Sequence, residues 1–148
     1  MKIIGINASP RGSKSQTLRL VKAVLEGARE GGAETELVDL CKLDIKYCNA
    51  CATCFATGRC VYDDDFDELY QKILGCDGLV LGSPNYFQTV TAQMKTLVDR
   101  MADAVHCQLL TGKYGCSVAT ARGSAAGVVL ACLVKLYNLF PQCMLRKR

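Results

Sequence analysis

Short apolar runs alternate along this chain with segments of helical periodicity, and this alternation restricts the folds that it can adopt. Lys2–Asn7 is a β-branched run that ends in a Ser-Pro-Arg-Gly turn. Residues 78–82 form a continuous apolar run, as expected of a central parallel strand covered on both faces. Between such runs, apolar residues recur at helical spacing. Strands and helices that alternate at these lengths predict right-handed βαβ units and a doubly wound parallel sheet.

The chain has 148 residues, which is enough for one domain with its own core. Strands are expected at residues 2–7, 34–40, 78–82 and 114–121, with the second nearer an edge. Helices are expected to begin near Thr17, Phe66, Met94 and Gly123. The aspartates at residues 63–65 supply the N-cap of the second helix, and Pro141 ends the last helix after Phe140.

An unusual loop follows each of the predicted strands. These loops comprise residues 9–16, 48–60, 83–91 and 120–124. In doubly wound sheets, ligands bind beyond the carboxyl ends of the strands. We therefore expect the loops to lie together along one rim of the sheet.

The loop after the second strand contains a dense cysteine motif with the pattern C-x2-C-x2-C-x5-C. Its members are Cys48, Cys51, Cys54 and Cys60. Thiols at this spacing can converge on one soft metal centre, and four thiolates suit a single iron–sulfur cluster. Zinc and metal-free thiols are the alternatives, although structural zinc sites usually divide their ligands into two pairs, and the only histidine, His106, lies far along the chain.

The loop after the first strand has the composition of an anion site. It lacks the glycine patterns of the Rossmann and Walker motifs, so a monophosphate fits better than a dinucleotide or a nucleoside triphosphate. Arg11 offers a fork of donors, and the start of the following helix offers free N–H groups and a positive dipole end. Hydroxyls come from Ser9, Ser13, Ser15 and Thr17. The alternative is a well-capped helix behind a polar loop.

The loop after the third strand carries two adjacent aromatic residues. Pro84 fixes the turn, and Tyr86 and Phe87 follow it at the end of the strand. A flat aromatic ligand could lie against these rings. The alternative is that the rings fill the space between the strand and the next helix.

Composition excludes several classes of function. The formal net charge of +4 is modest and is partly carried by residues 146–148, which is poor evidence for nucleic-acid binding. The apolar stretch at residues 125–134 has about half the length of a membrane span, and the N-terminus has no signal-peptide pattern. Ten cysteines with no other sign of secretion favour a reduced, cytoplasmic setting over a disulfide framework.

Motifs at three successive loops carry a resemblance to a known family. They are S-P-R-G-S-K-S-Q-T, the cysteine pattern followed by V-Y-D-D-D-F, and D-G-L-V-L-G-S-P-N-Y-F with T-A-Q-M-K-T-L-V-D-R. With these motifs the chain resembles the iron–sulfur flavoproteins of the wider NADPH-dependent FMN reductase group. The resemblance runs from Met1 to about Gly127. It implies a single flavodoxin-like α/β domain over residues 1–148, with the cysteine loop of residues 48–60 inserted after the second strand.

The resemblance also implies two cofactors, FMN and a [4Fe–4S] cluster, with the cluster held by the four cysteines of the motif. The residues implied to bind the FMN phosphate are Ser9, Arg11, Ser15, Gln16 and Thr17. The residues implied to lie against the isoalloxazine ring are Pro84, Asn85, Tyr86, Phe87, Thr120, Arg122 and Gly123. Relatives are homo-oligomers, and we expect a dimer or tetramer in which a cluster approaches the flavin of a neighbouring subunit.

The sequence departs from the family pattern in three ways. Gln16 stands where relatives more often have Asn, and Gln88 where many have Gly. Relatives continue through a fifth strand and a last helix, whereas this sequence is shortened after the fourth strand and helix. We expect association with another chain to compensate for an apolar last helix and an exposed strand edge.

No acid/base or nucleophile set is visible, so redox chemistry would belong to the cofactors. The leading hypothesis is an FMN-dependent oxidoreductase that takes electrons from a ferredoxin-like donor or NAD(P)H and passes them through the cluster and FMN to a small oxidant. One alternative is an NAD(P)H-dependent FMN or quinone reductase without a cluster. The other is a non-enzymatic module with a zinc-bound cysteine loop.

Overall fold

The computed structural model describes residues 1–123 and 125–138. Its strands are β1 (Lys2–Asn7), β2 (Glu34–Asp39), β3 (Gly78–Pro84) and β4 (Tyr114–Thr120). Its helices are α1 (Gln16–Glu30), α2 (Thr53–Thr57), α3 (Phe66–Gly75), α4 (Ala92–Arg100), α5 (Ala102–His106) and α6 (Ala126–Asn138). Short 3-10 turns occupy Gly12–Lys14 and Leu40–Lys42. The predicted end of the last helix at Phe140 and Pro141 lies outside the described residues.

The strands form one parallel sheet in the order β2-β1-β3-β4. This arrangement confirms the predicted doubly wound sheet and the edge position of the second strand. β3 is buried from Gly78 to Ser83, whereas β2 has no fully buried residue. The continuous apolar run of β3 and the mixed pattern of β2 therefore reflect their central and edge positions.

One face of the sheet is covered by α1. Val21 and Leu25 of this helix pack in a buried cluster with Val80 and Val118. The helix lies so close to the sheet that a Cβ atom on Gly82 would overlap Val21 Cγ2 and lie 3.2 Å from Thr17 Cγ2. Glycine in the middle of β3 is thus what allows the start of α1 to approach the sheet.

The opposite face is covered by α3, α4 and α6. Phe66 and Ile73 of α3, Leu97 of α4 and Leu133 of α6 belong to one buried cluster with the sheet. Among residues 1–123 and 125–138, no helix combines the length and the apolar character that crossing a bilayer requires.

The apolar residues Met94, Leu97 and Met101 recur at helical spacing and predict one helix, but the structure divides this segment. α4 ends at Arg100, and α5 begins at Ala102 after a bend at Met101. Met101 is buried in the core at the bend. The bend turns α5 toward the cysteine loop, where the His106 ring lies 5.0 Å from the ring of Phe55.

We predict that Gly82→Ala destabilises the fold by about 1–3 kcal/mol, because the added methyl group forces Val21 away from the sheet. Urea unfolding measures this change. Gly27→Ala is the matched control, since a Cβ at Gly27 meets nothing within 4 Å and alanine favours the helix by about 0.5–1 kcal/mol. Equal stability of the two variants would contradict the close packing of α1.

Candidate cofactor sites

The loops after β1, β3 and β4 surround an open cleft of about 640 Å³. Nine of the residues predicted to bind flavin line it: Ser9, Arg11, Gln16, Thr17, Pro84, Asn85, Tyr86, Thr120 and Arg122. Small side chains complete the wall, namely Ala119, Ala121 and Ala126. The sequence did not indicate these alanines, because a small residue that leaves room for a ligand looks like any other small residue.

The first turn of α1 forms one end of the cleft. Ser15 is its N-cap, and the Ser15 hydroxyl oxygen accepts a hydrogen bond of 3.0 Å from the N–H of Leu18. The capped-helix interpretation therefore holds for Ser15, which is buried and does not line the cleft. Gln16 and Thr17 do line it, so the positive end of the helix dipole lies at the cleft together with the exposed guanidinium of Arg11.

Hydrogen bonds join the start of α1 to the ends of β3 and β4. The hydroxyls of Thr17 and Thr120 share a hydrogen bond of 2.6 Å, and the N–H of Asn85 donates to the carbonyl of Thr120 at 2.7 Å. The side-chain oxygen of Asn85 is buried without a hydrogen-bond partner among the described residues. A buried acceptor without a partner in the wall of a cleft fits a ligand that carries a donor.

A tight turn carries the two aromatic residues. Tyr86 and Thr89 exchange backbone hydrogen bonds of 2.9 and 3.2 Å, and the residues between them, Phe87 and Gln88, have φ of 47° and 67°. Tyr86 lines the cleft and is 44% exposed, whereas Phe87 is fully exposed. Neither ring fills the core, so that alternative is wrong. Phe87 and Gly123 are not among the lining residues, and their contact with flavin stays a prediction.

The four cysteines of the motif line a separate, small cavity of about 20 Å³. Asn49, Ala52, Tyr62, Asp99, Arg100 and Ala102 complete its wall. Among the described residues, no group of three or more His, Cys, Asp or Glu is arranged as a ready metal site. Convergence of the cysteines on one cavity was predicted, but the contribution of α4 and α5 to its wall was not.

The backbone of the cysteine loop provides donors to sulfur. Ala50 and Ala52 have φ of 57° and 60°, and the N–H of Ala50 points to Cys48 Sγ at 3.4 Å. The hydroxyl and then the N–H of Thr53 lower the pKa of Cys51. The pKa of Cys54 is instead raised, first by burial and then by the charge of Asp103. Four thiols around one cavity, two of them with N–H donors directed at sulfur, still suit a soft metal centre that takes its ligands as thiolates.

The cysteine cavity does not lie on the rim of the cleft, so the prediction that all four loops share one rim was wrong. Leu40, Leu43 and Ile45 lie with Ala92 and Thr96 along a groove beside α4. The chain thus follows α4 before it reaches the cysteines, whose cavity includes Asp99 and Arg100 at the C-terminal end of that helix. α4 has nine residues and a length of about 13 Å, which separates the cavity from the rim.

Residues 1–145 match the family described as NADPH-dependent FMN reductase. An iron–sulfur flavoprotein of Archaeoglobus fulgidus is 42% identical over 123 residues, a match that covers 83% of this chain and 56% of the relative. An iron–sulfur flavoprotein of Methanocaldococcus jannaschii is 38% identical over 140 residues, covering 95% of this chain and 72% of the relative.

The chain belongs to the NADPH-dependent FMN reductase family. Its similarity to iron–sulfur flavoproteins confirms the resemblance seen in the sequence motifs. The chain spans about half to three quarters of the length of these relatives.

A solved structure confirms the flavodoxin-like fold. A WrbA-like flavodoxin protein of Agrobacterium tumefaciens superposes with a TM-score of 0.67 at 17% identity. The match covers 97% of this chain and 76% of that one.

In this family member, a buried network that the sequence analysis missed positions the cleft loops. Thr91 caps α4 by accepting from the N–H of Met94 at 3.3 Å, and its hydroxyl donates to the carbonyl of Ala8 at 2.9 Å. The N–H of Thr91 donates to the hydroxyl of Ser83 at 3.0 Å. The position of Thr91 just before the predicted helix is an N-cap signal that could have identified it.

A second missed network closes the base of the cysteine loop. Arg100 forms a bidentate pair with Asp64, at 2.8 and 3.1 Å, and both side chains are 1% exposed. Arg100 also donates to the carbonyl of Lys46 at 2.8 Å, while Asp64 accepts from the N–H of Lys46 at 2.9 Å. One ion pair thus holds both ends of the loop against α4.

The carboxyl group of Asp64 is held in its ionised form. Burial alone would raise its pKa, but hydrogen bonds from Arg100 and from the N–H groups of Lys46 and Phe66 lower it overall. A carboxyl whose folded pKa lies below its unfolded value stabilises the fold above that unfolded value, near 4. This stabilisation is lost as the pH falls through the folded pKa.

We predict that Asp64→Asn lowers the free energy of unfolding at pH 7 by about 3–5 kcal/mol, because it leaves the Arg100 charge buried and uncompensated. The deficit relative to wild type should begin to shrink below pH 4 and should continue to shrink as the pH falls through the lowered folded-state pKa of Asp64. Urea unfolding at several pH values measures both effects. Asp99→Asn is the control, since its pair with Lys95 is exposed and contributes about 1 kcal/mol or less. A similar loss in both variants would contradict the special role of the buried pair.

Proposed function

We propose that this protein is an FMN-dependent oxidoreductase of the iron–sulfur flavoprotein type. It would pass electrons from ferredoxin or NAD(P)H, through a [4Fe–4S] cluster and FMN, to a small oxidant. The observation that carries this proposal is that nine of the residues expected at a flavin line one cleft, while the four cysteines line one cavity of their own. We propose that it acts in the reducing cytoplasm.

The cleft residues suit the parts of FMN. Arg11, Ser9 and the first turn of α1 would bind the phosphate, since a charged fork and free N–H groups favour a dianion. The unpartnered side-chain oxygen of Asn85 would accept from a ring N–H, and Tyr86 would cover one face of the ring. FMN accepts one or two electrons, so when bound it links hydride donors to one-electron carriers.

The cysteines would hold the cluster as thiolates. The lowered pKa of Cys51 and the N–H group directed at Cys48 support this assignment. A second candidate is a flavin or quinone reductase without a cluster. The observation that favours this candidate is that, among the described residues, no three or more His, Cys, Asp or Glu side chains are already arranged to hold a metal ion.

The distance along α4 between the cavity and the cleft favours electron transfer between subunits. A cluster at the C-terminal end of α4 would be separated from the cleft of its own chain by the length of this helix, which leaves it free to approach a flavin of another copy. Tyr47, Phe55 and Val61 of the cysteine segment are exposed, and burial of such apolar side chains favours association. We therefore propose that the protein is a homo-oligomer, either a dimer or a tetramer.

We predict that Arg11→Ala weakens FMN binding by roughly ten- to a hundred-fold, because it removes a charge-assisted contact of about 1.5–3 kcal/mol. A fluorescence titration of FMN measures the affinity. Lys22→Ala, an exposed residue of α1 with the same charge, is the matched control and should bind FMN like the wild type. If the two variants bind FMN equally well, Arg11 does not hold the phosphate.

We predict that Cys54→Ser abolishes the cluster while FMN and the fold remain. Anaerobic purification followed by iron, sulfide, zinc and FMN analysis measures the loss. Cys107→Ser, which alters an exposed cysteine outside the motif, should keep the cluster. Zinc without sulfide in the wild type would instead identify the cysteine loop as a zinc site.

The same variant tests the proposed path of electrons. Flavin reduction by ferredoxin should slow in Cys54→Ser, because the one-electron donor reaches FMN through the cluster. Reduction by NAD(P)H should persist, because hydride transfers directly to flavin. Wild-type rates with ferredoxin in the cluster-free variant, followed by stopped flow, would exclude the relay and leave the reductase without a cluster.

A further inference from the structure

Arg100 places a buried charge from α4 in the wall of the cysteine cavity. Its side chain is 1% exposed and lies over the ring of Phe66, with the guanidinium carbon 4.4 Å from the ring centroid. A guanidinium cannot lose its charge in a protein, so a positive charge is fixed at this place. Two of its nitrogens are satisfied by Asp64 and Lys46.

The third nitrogen of this group has no partner. Arg100 Nε is buried and makes no hydrogen bond within residues 1–123 and 125–138. Buried donors are almost always paired, and each unpaired one requires an explanation. Arg100 lines the cavity of the four cysteines. Burial alone would lower the pKa of Arg100, but Asp64 raises it, and Cys60 is the next group that raises it, by its charge and as a hydrogen-bond partner of the guanidinium group. The acceptor that suits this donor is therefore sulfur at the cysteine site.

We propose that Arg100 is a positioning residue for the redox centre: it donates from Nε to sulfur on the Cys60 side of the cavity and favours the reduced state of the cluster. This inference rests on the proposed function, in which the cysteines hold a [4Fe–4S] cluster. Reduction adds one electron from the donor, with no bond to the protein formed or broken, so the site becomes one charge more negative. A fixed positive charge and an N–H donor next to sulfur stabilise that added charge and raise the reduction potential.

Asp64 moderates this effect. Its carboxylate accepts two hydrogen bonds from Arg100 and opposes the guanidinium charge. Removal of the Asp64 charge should therefore raise the reduction potential of the cluster, whereas removal of the Arg100 donor should lower it. Loss of packing alone would not give two shifts of opposite sign.

The test is a reductive titration of the full chain with its cluster, followed by electron paramagnetic resonance. Arg100→Lys keeps a positive charge for Asp64 but lacks Nε, so its potential should fall by about 59 mV, which is a tenfold change in the reduction equilibrium. Asp64→Asn should raise the potential. Arg59→Lys is the matched control, because Arg59 adjoins Cys60 in the chain but is exposed, and its potential should equal that of the wild type.

A measurement on the wild type covers the case in which a variant does not fold. In protein labelled with ¹⁵N at arginine Nε, the reduced cluster should show a hyperfine coupling to one nitrogen, and the coupling should persist in Arg59→Lys. No coupling, or an unchanged potential in Arg100→Lys that retains its iron and sulfide, overturns this inference alone. A wild-type chain without iron and sulfide overturns the cluster in the proposed function, and this inference with it.

Discussion

The pairing of β1 with β3 is the constraint from which the cleft follows. The chain leaves β1 toward α1 on one face of the sheet and leaves β3 toward α4 on the other. Loops that depart from neighbouring strands to opposite faces must separate, and a crevice opens between them. The hydrogen bond from the N–H of Ala8 to the carbonyl of Gly82 continues the pairing to the edge of that crevice. The sheet order therefore decides where a ligand can bind before any side chain is considered.

The second site has a different origin, because it depends on one buried ion pair rather than on the sheet. A loop of thirteen residues with two alanines in the left-handed region has little apolar surface to bury. Its two ends are held together by Arg100, which binds Lys46 and Asp64 at once. A bidentate pair of this kind fixes the orientation of the two side chains as well as the distance between them. The position of the cysteines is thus set by α4, on which Arg100 lies.

Periodicity and composition predicted the elements and the cleft because both depend on local pattern. The burial of β3, the edge position of β2 and the cap of α1 at Ser15 all follow from neighbouring residues. The path of the cysteine loop could not be predicted in this way. The segment that leads to this loop packs beside α4 through Leu40, Leu43 and Ile45. These residues lie some fifty positions before the part of α4 that they contact. Likewise, the sequence alone predicts an exposed side chain for Arg100 at the end of a helix, because the partner that buries it, Asp64, lies 36 residues earlier in the chain.

Backbone strain is concentrated at the two candidate sites. Among the described residues, five without glycine's freedom have positive φ, and four of them are Ala50, Ala52, Phe87 and Gln88. Each costs on the order of 1 kcal/mol, so it persists only where its surroundings enforce it. The paired backbone of Tyr86 and Thr89 enforces the aromatic turn, and the Arg100 network encloses the cysteine loop. The fifth, Gln108, lies in the segment between α5 and β4, and none of the five lies inside a strand or a helix. Four of the five strained residues therefore lie in the cysteine loop and the aromatic turn, where hydrogen bonds hold the backbone in place.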